Sequence, residues 1–188
     1  MQSRQEILLG LSISLTGRFS AQGRQALDGL RLWQSYVNGR DGITLGQNGP
    51  RRVRVVFYDD QSLASLAREN ALRLLRQDRV DALFGPYSSG LTMTVAEVAH
   101  EQKRALWNHG GSSDEIFNRG WWHLVSTPTP ASEYLRDLPR CLERTGTCSA
   151  QDLYRVLHSW PFRLSCSPGI RASGNLRIFG PAHALFGT

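Results

Sequence analysis

The sequence predicts an α/β fold, an open parallel sheet flanked by helices, and three observations predict it. Short apolar runs bounded by turn residues alternate with stretches whose apolar residues recur at helical spacing. The connections between successive apolar runs are too long for hairpins, so neighbouring strands run parallel with helices crossing between them. The first run, residues 6–14, is apolar almost throughout, as in a strand covered on both faces.

That run contains "ILLGLSISL", which follows Arg4 as the core of a signal peptide would. No small-residue cleavage site follows it, and it is too short to span a bilayer, so it reads as the first strand. No export signal is legible and no membrane-spanning segment is expected. After the turn "LTGRFSAQG", the residues Ala26, Leu27, Leu30, Trp33, Tyr36 and Val37 mark a helix that "NGRDG" stops. A basic loop leads to the strand "VRVVFY", which ends in Asp59 and Asp60. These two carboxylates are expected to cap the next helix rather than meet a ligand ammonium. That helix carries Leu63, Leu66, Ala67, Ala71, Leu74 and Leu75 on one side. "VDALF" is the third strand, residues 91–102 the third helix, "ALW" a short fourth strand and "WWHLVS" a fifth. Trp107, Trp121 and Trp122 are most simply core or lobe-surface aromatics.

Composition narrows the function. The chain has 188 residues, 40% of them hydrophobic and 20% charged, which is ordinary for a globular protein. Its net charge of +6 would suit nucleic acid only if the cations gathered on one face among aromatics. They are scattered, and the densest run, "PRRVRV", sits at a loop-to-strand junction, so no nucleic-acid partner is expected. Cys141, Cys148 and Cys166 form no CxxC pair and have no histidine cluster nearby, which argues against a metal site and a disulfide framework. No cofactor is implied.

In open parallel sheets ligands bind beyond the carboxyl ends of the strands. Four loops qualify: "SLTGRFSAQG", "YDDQS", "GPYSSG" and "NHGGSS". The last two are richest in glycine and hydroxyl groups. A helix mouth leaves backbone N–H groups unpaired, so hydroxyls there help grip an anion, although a plain N-cap accounts for Ser88 or Ser89 as well. Hydrolysis is disfavoured because "PYSSG" lacks the first glycine of a nucleophile elbow and no residue fixes a histidine beside either serine. A nucleotide-binding glycine loop is absent too.

Taken in order, "LTGRFSAQG", "ALDGLRLWQSYVNGRDGI", "VRVVFYDDQS", "VDALFGPYSSGLT" and "ALWNHGGSSDEIF" resemble the type I periplasmic binding fold. Within it the resemblance is to the leucine/isoleucine/valine-binding proteins of ABC importers and their amide-binding relatives, over residues 7–146. The resemblance implies a non-enzymatic solute-binding component that holds an amino acid or small amide in a cleft between two lobes. It implies ABC permease subunits as partners and a periplasmic or extracellular location. The same fold serves as a ligand-sensing domain of receptors and regulators, and that is the alternative. Carried over by residue, the resemblance places ligand contacts at Ser89 with Ser88 as neighbour, at Gly110 and Gly111 through the backbone, and at Ser112. It lays Phe19 or Gln22 over the ligand side chain, with a plain surface position as the alternative for either. Asn108 and His109 stand where a leucine-type site has small residues and point to a more polar ligand, unless His109 faces solvent.

The expected organisation is a ligand-binding lobe over residues 1–127, a crossover and the start of a second lobe over 128–160, and an irregular tail over 161–188. In the family the second lobe closes on the ligand. Here Pro, Gly and Ser break every periodicity beyond Trp160. The simplest account is a truncation with a shifted reading frame after about Arg140; the alternative is a short protein with a divergent tail. A half-site open to water competes poorly for a ligand's charges, so these residues alone are expected to bind weakly or not at all.

Overall fold

The computed structural model describes residues 6–46 and 49–134. The chain divides into two units, 1–128 and 129–188. The expected tail, and most of the expected second lobe, lie outside the described residues. Of the second unit only residues 129–134 are described, with a single 3-10 turn at Ala131–Glu133.

In the first unit the chain runs β1 (Glu6–Ile13), α1 (Ser20–Asn38), β2 (Ile43–Thr44), β3 (Pro50–Asp59), α2 (Ala64–Arg76), β4 (Ala82–Phe84), α3 (Ser89–Glu101), β5 (Leu106–Asn108), α4 (Asp114–Asn118) and β6 (Leu124–Ser126). The sheet order is β2-β3-β1-β4-β5-β6. All pairings are parallel except that of β2, which lies antiparallel on the edge of β3. The sheet is therefore mostly parallel, as expected, with β2 added where the sequence reads as a basic loop. Two residues cannot display a period.

Strand alternation assigns the two faces. From β1, Leu8 turns toward α2 and α3, where it joins Ala71, Leu74, Leu83, Val95 and Leu106 in one cluster. Ile7 and Leu9 turn the other way with Val53, and Leu11 and Ile13 pack with Leu27 of α1. Burying each such aliphatic side chain stabilises the fold by roughly 1.5–3 kcal/mol. Toward β4 and β5, the α1 side of the sheet carries an apolar hollow of about 560 Å3, lined by Leu30, Trp33, Phe84, Trp107 and Val125 among others.

At the amino-terminal edge of β6, His123 is 3% exposed, stacked on His100 with ring centroids 5.2 Å apart. Neither of its ring nitrogens makes a well-formed hydrogen bond. Burial pulls its imidazole below the ordinary value of 6.5, and charge on His100 pulls the same way, against the Ala96 carbonyl. The unfolded chain thus takes up this proton at higher pH than the folded one, so stability is lost as pH falls below about 6.5. The melting midpoint is expected to drop between about pH 7.5 and 5.5. The drop should shrink in His123→Phe; an equal drop in that variant would assign it to other groups.

Candidate functional site

The strand order reverses at β1, which has β3 on one side and β4 on the other. The chain leaves β1 through α1 for β3, then crosses back through α2 to β4 on the opposite face. Such a reversal opens a crevice at the carboxyl ends of the strands. The loops following β1, β3, β4 and β5 come together there.

Ser89 is the first residue of α3, and its Oγ accepts hydrogen bonds from the backbone N–H groups of Ser112 at 3.2 Å and Ser113 at 3.0 Å. A serine hydroxyl has two lone pairs and one hydrogen. Both lone pairs are committed to the loop after β5, so Ser89 has only its O–H left to donate. Beside it the first turn of α3 presents backbone N–H groups without helical partners. Ser88 takes one of them, its Oγ accepting from Leu91 N–H at 3.4 Å, and is therefore the N-cap. Its backbone, at φ 84° and ψ 146°, lies where glycine alone enters freely. The corner as built favours an acceptor, above all an anion.

Asn108 lies under this corner, not in it. Its Oδ1 accepts from the N–H groups of Gly110 at 3.2 Å and Gly111 at 2.8 Å. Its Nδ2 donates to the Gly111 carbonyl at 2.7 Å and to Ser126 Oγ at 3.1 Å. Those four bonds exhaust a carboxamide, and the residue is fully buried. The expectation that Asn108 contacts a ligand is corrected accordingly: it shapes the Gly110–Ser113 loop and has nothing left to offer. The two glycines let that loop come close. A β-carbon on Gly110 would stand 2.9 Å from Tyr87 Cα, and one on Gly111 2.8 Å from Thr92 Cβ.

His109 turns elsewhere for a simple reason. Leu106 and Asn108 share one face of β5, so Trp107 and His109 take the other, and His109 lines the apolar hollow with Trp107. Burial lowers its pKa, while the Gly85 carbonyl and its own backbone favour the charged ring. The polar-ligand hint carried by Asn108 and His109 thus loses its footing.

Phe19, just before α1, meets Tyr87 edge-on with ring centroids 5.8 Å apart. Tyr87 also borders Gly110, so its ring bridges the first and last of the loops at the mouth. The sequence reading missed Tyr87, although an aromatic between Gly-Pro and two serines was the available signal. Gln22 is exposed on the first turn of α1. Ser112 is half-buried beside Ser89. The structure therefore brings Ser89, Gly110, Gly111, Ser112 and Phe19 to one crevice; Ser88 caps its helix, Gln22 is exposed at the start of α1, and Asn108 and His109 point to other tasks or other faces.

Asp59 and Asp60 do not cap α2, whose N-cap is Leu63 with no side-chain hydrogen bond. Instead Asp59 accepts from Leu15 N–H, Thr16 N–H, Thr16 Oγ1 and Gln61 N–H. Asp60 accepts from Ser12 Oγ, Ser14 Oγ and Ser62 N–H. Burial pushes both carboxyls up. For Asp59 its donors more than offset that and leave it below the ordinary value, whereas Asp60, fully buried and beside the charge of Asp59, stays above it. Among the described residues no group of three or more His, Cys, Asp or Glu side chains is placed to hold a metal ion. No described helix is long and apolar enough to cross a membrane.

A doubly wound sheet with hydroxyl and glycine donors at its reversal is the architecture of one lobe of a type I periplasmic binding protein. The chain belongs to the periplasmic binding protein family, whose model matches residues 6–137. It is 25% identical over 133 residues to the Leu/Ile/Val-binding protein homolog 8 of Brucella abortus, covering 70% of this chain and 31% of that protein. Its fold is similar to that of the branched-chain amino acid transporter substrate binding protein LivJ of Streptococcus pneumoniae, solved with isoleucine. There the TM-score is 0.62 at 22% identity, over 70% of this chain and 38% of that one. It is similar also to an ABC transporter solute binding protein of R. palustris solved with benzoate, with TM-score 0.62, 23% identity, and coverage of 75% and 38%. These relatives are solute-binding proteins rather than enzymes. The chain spans less than two-fifths of the length of each.

Proposed function

We propose that the chain is the first-lobe portion of the solute-binding component of an ABC importer, and that this lobe holds the carboxylate of a small acid. The observation that carries the reading is Ser89: its hydroxyl can only donate, and it does so at a helix mouth beside the close-packed Gly110–Ser112 loop. Isoleucine and benzoate, found with two of the similar structures, differ in everything except an apolar body and a carboxylate. Phe19 and Tyr87 suit the apolar body, and the Ser89 corner suits the carboxylate. An amino acid or an aromatic acid fits this pairing better than the polar ligand that Asn108 and His109 suggested. Permease subunits as partners and a periplasmic or extracellular location follow from the same reading.

Titration of the 188-residue chain with isoleucine and with benzoate, followed by backbone amide chemical shifts, tests it. With one lobe open to water the affinity is expected to be weak, in the range of about 1–10 mM, where the binding free energy is only about 3–4 kcal/mol. The shifts should concentrate at residues 88–89 and 110–113. A response confined to the apolar hollow, or none at about 10 mM of either acid, would count against the proposal.

A further inference from the structure

The turn after β3 is bonded throughout to the loop that carries Phe19. Asp59 Oδ1 holds Leu15 N–H at 2.8 Å and Thr16 N–H at 3.3 Å, and its Oδ2 holds Thr16 Oγ1 at 2.7 Å. Asp60 holds the last residues of β1 and their continuation through Ser12 and Ser14. The same two carboxylates fix their own turn, accepting from Gln61 N–H and Ser62 N–H, both at 2.9 Å. Gln61 and Ser62 stand in the left-handed region, with φ of 53° and 63°. Non-glycine residues hold that conformation only when the surroundings impose it.

The turn's outward product is the Ser62 hydroxyl. Ser62 Oγ accepts from Phe19 N–H at 3.0 Å and donates to the Thr16 carbonyl at 3.1 Å. It thereby ties both ends of the Thr16–Phe19 segment. The backbones are in close contact as well, since a β-carbon on Gly17 would stand 2.4 Å from the Gln61 carbonyl oxygen. Phe19, held in this way, places its ring against Tyr87.

We propose that the Asp59–Ser62 turn is a positioning element: through Ser62 it holds the Phe19 loop against Tyr87 and so sets the apolar wall of the crevice without contacting a ligand. The ligand half of this inference rests on the function proposed above; the loop half does not. Ser62→Gly separates positioning from stability, because glycine relieves the left-handed backbone while removing the hydroxyl. In the ligand-free 188-residue chain, hydrogen–deuterium exchange at the Phe19 amide should quicken by about tenfold or more, with Leu27 and Val95 core amides unchanged. The nuclear Overhauser contact between Phe19 and Tyr87 rings should weaken with it. Unchanged exchange at Phe19, or faster exchange at Phe19 and the core together, would overturn the positioning role. Titration of both proteins with isoleucine and benzoate then addresses recognition. If the unaltered chain binds neither, the proposed function fails while the exchange result still decides the loop. If it binds either acid and Ser62→Gly binds it equally well, the turn does not set the wall.

Discussion

Replacing Asn108 with alanine is expected to lower the stability of the first unit by about 3–5 kcal/mol, read as a shift of the urea midpoint. The fully buried side chain serves two backbone N–H groups, one carbonyl and one hydroxyl; its bonds to Gly111 are buried and those to Gly110 and Ser126 partly so. Truncation leaves four polar groups without that partner, and each buried orphan costs roughly 1–3 kcal/mol before relaxation. Asn108→Asp should also be costly although it is isosteric. It turns the Nδ2 donor into an acceptor facing the Gly111 carbonyl, and it adds a buried charge. A loss below about 1 kcal/mol in the alanine variant would mean that the Gly110–Ser113 loop is held by other contacts.

Gly23→Ala is expected to cost about 3 kcal/mol or more, at the upper end for overpacking. The glycine sits in the first full turn of α1, and an added β-carbon would stand 1.9 Å from the Ser14 carbonyl oxygen, a backbone atom that no side-chain rotation can clear. Alanine is otherwise favoured over glycine within a helix by about 1 kcal/mol, so propensity and packing make opposite predictions. A thermal melt decides between them. If packing wins, α1 and the loop before it must move apart, and the damage extends to the Phe19 loop.

Much of this lobe was legible in the sequence because its elements repeat a simple period many times. The β1 run and the apolar stripes of α1, α2 and α3 each offer several residues in phase, and most of these are buried or half-buried, although Tyr36 at the end of α1 and Leu63 at the N-cap of α2 are exposed. What escaped notice was short or reciprocal. β2 has two residues and α4 five, too few to display a period. Asp59 and Asp60 looked like helix caps because Asp before a helix usually is one; apart from Gln61 N–H and Ser62 N–H in their own turn, their partners lie more than forty residues away in sequence, across the strand pairing of β1 with β3. Such contacts have no local signature.

The site was legible in the same uneven way. Gly-Pro followed by two hydroxyls at a helix start marked a corner where donors gather, and the two serines divided the two readings between them, Ser88 as cap and Ser89 as the remaining donor. Residue type alone misled at Asn108 and His109. A carboxamide and an imidazole in a loop both look available to a ligand, and only the alternation of β5 sends one under the loop and the other to the far face. Tyr87 was overlooked because its importance lies in bridging two loops that are distant in sequence.

The proposed function stands or falls on whether the Ser89 corner recognises a carboxylate. The most direct test compares isoleucine with 2-methylbutylamine, the same molecule without its carboxylate, by amide-shift titration of the 188-residue chain. Isoleucine is expected to shift the amides of residues 88–89 and 110–113, whereas the amine, at equal concentration, should leave them in place. A charge-assisted hydrogen bond contributes roughly 1.5–3 kcal/mol, enough for a difference of about tenfold or more in affinity. Equal shifts at those residues from both compounds would contradict carboxylate recognition there.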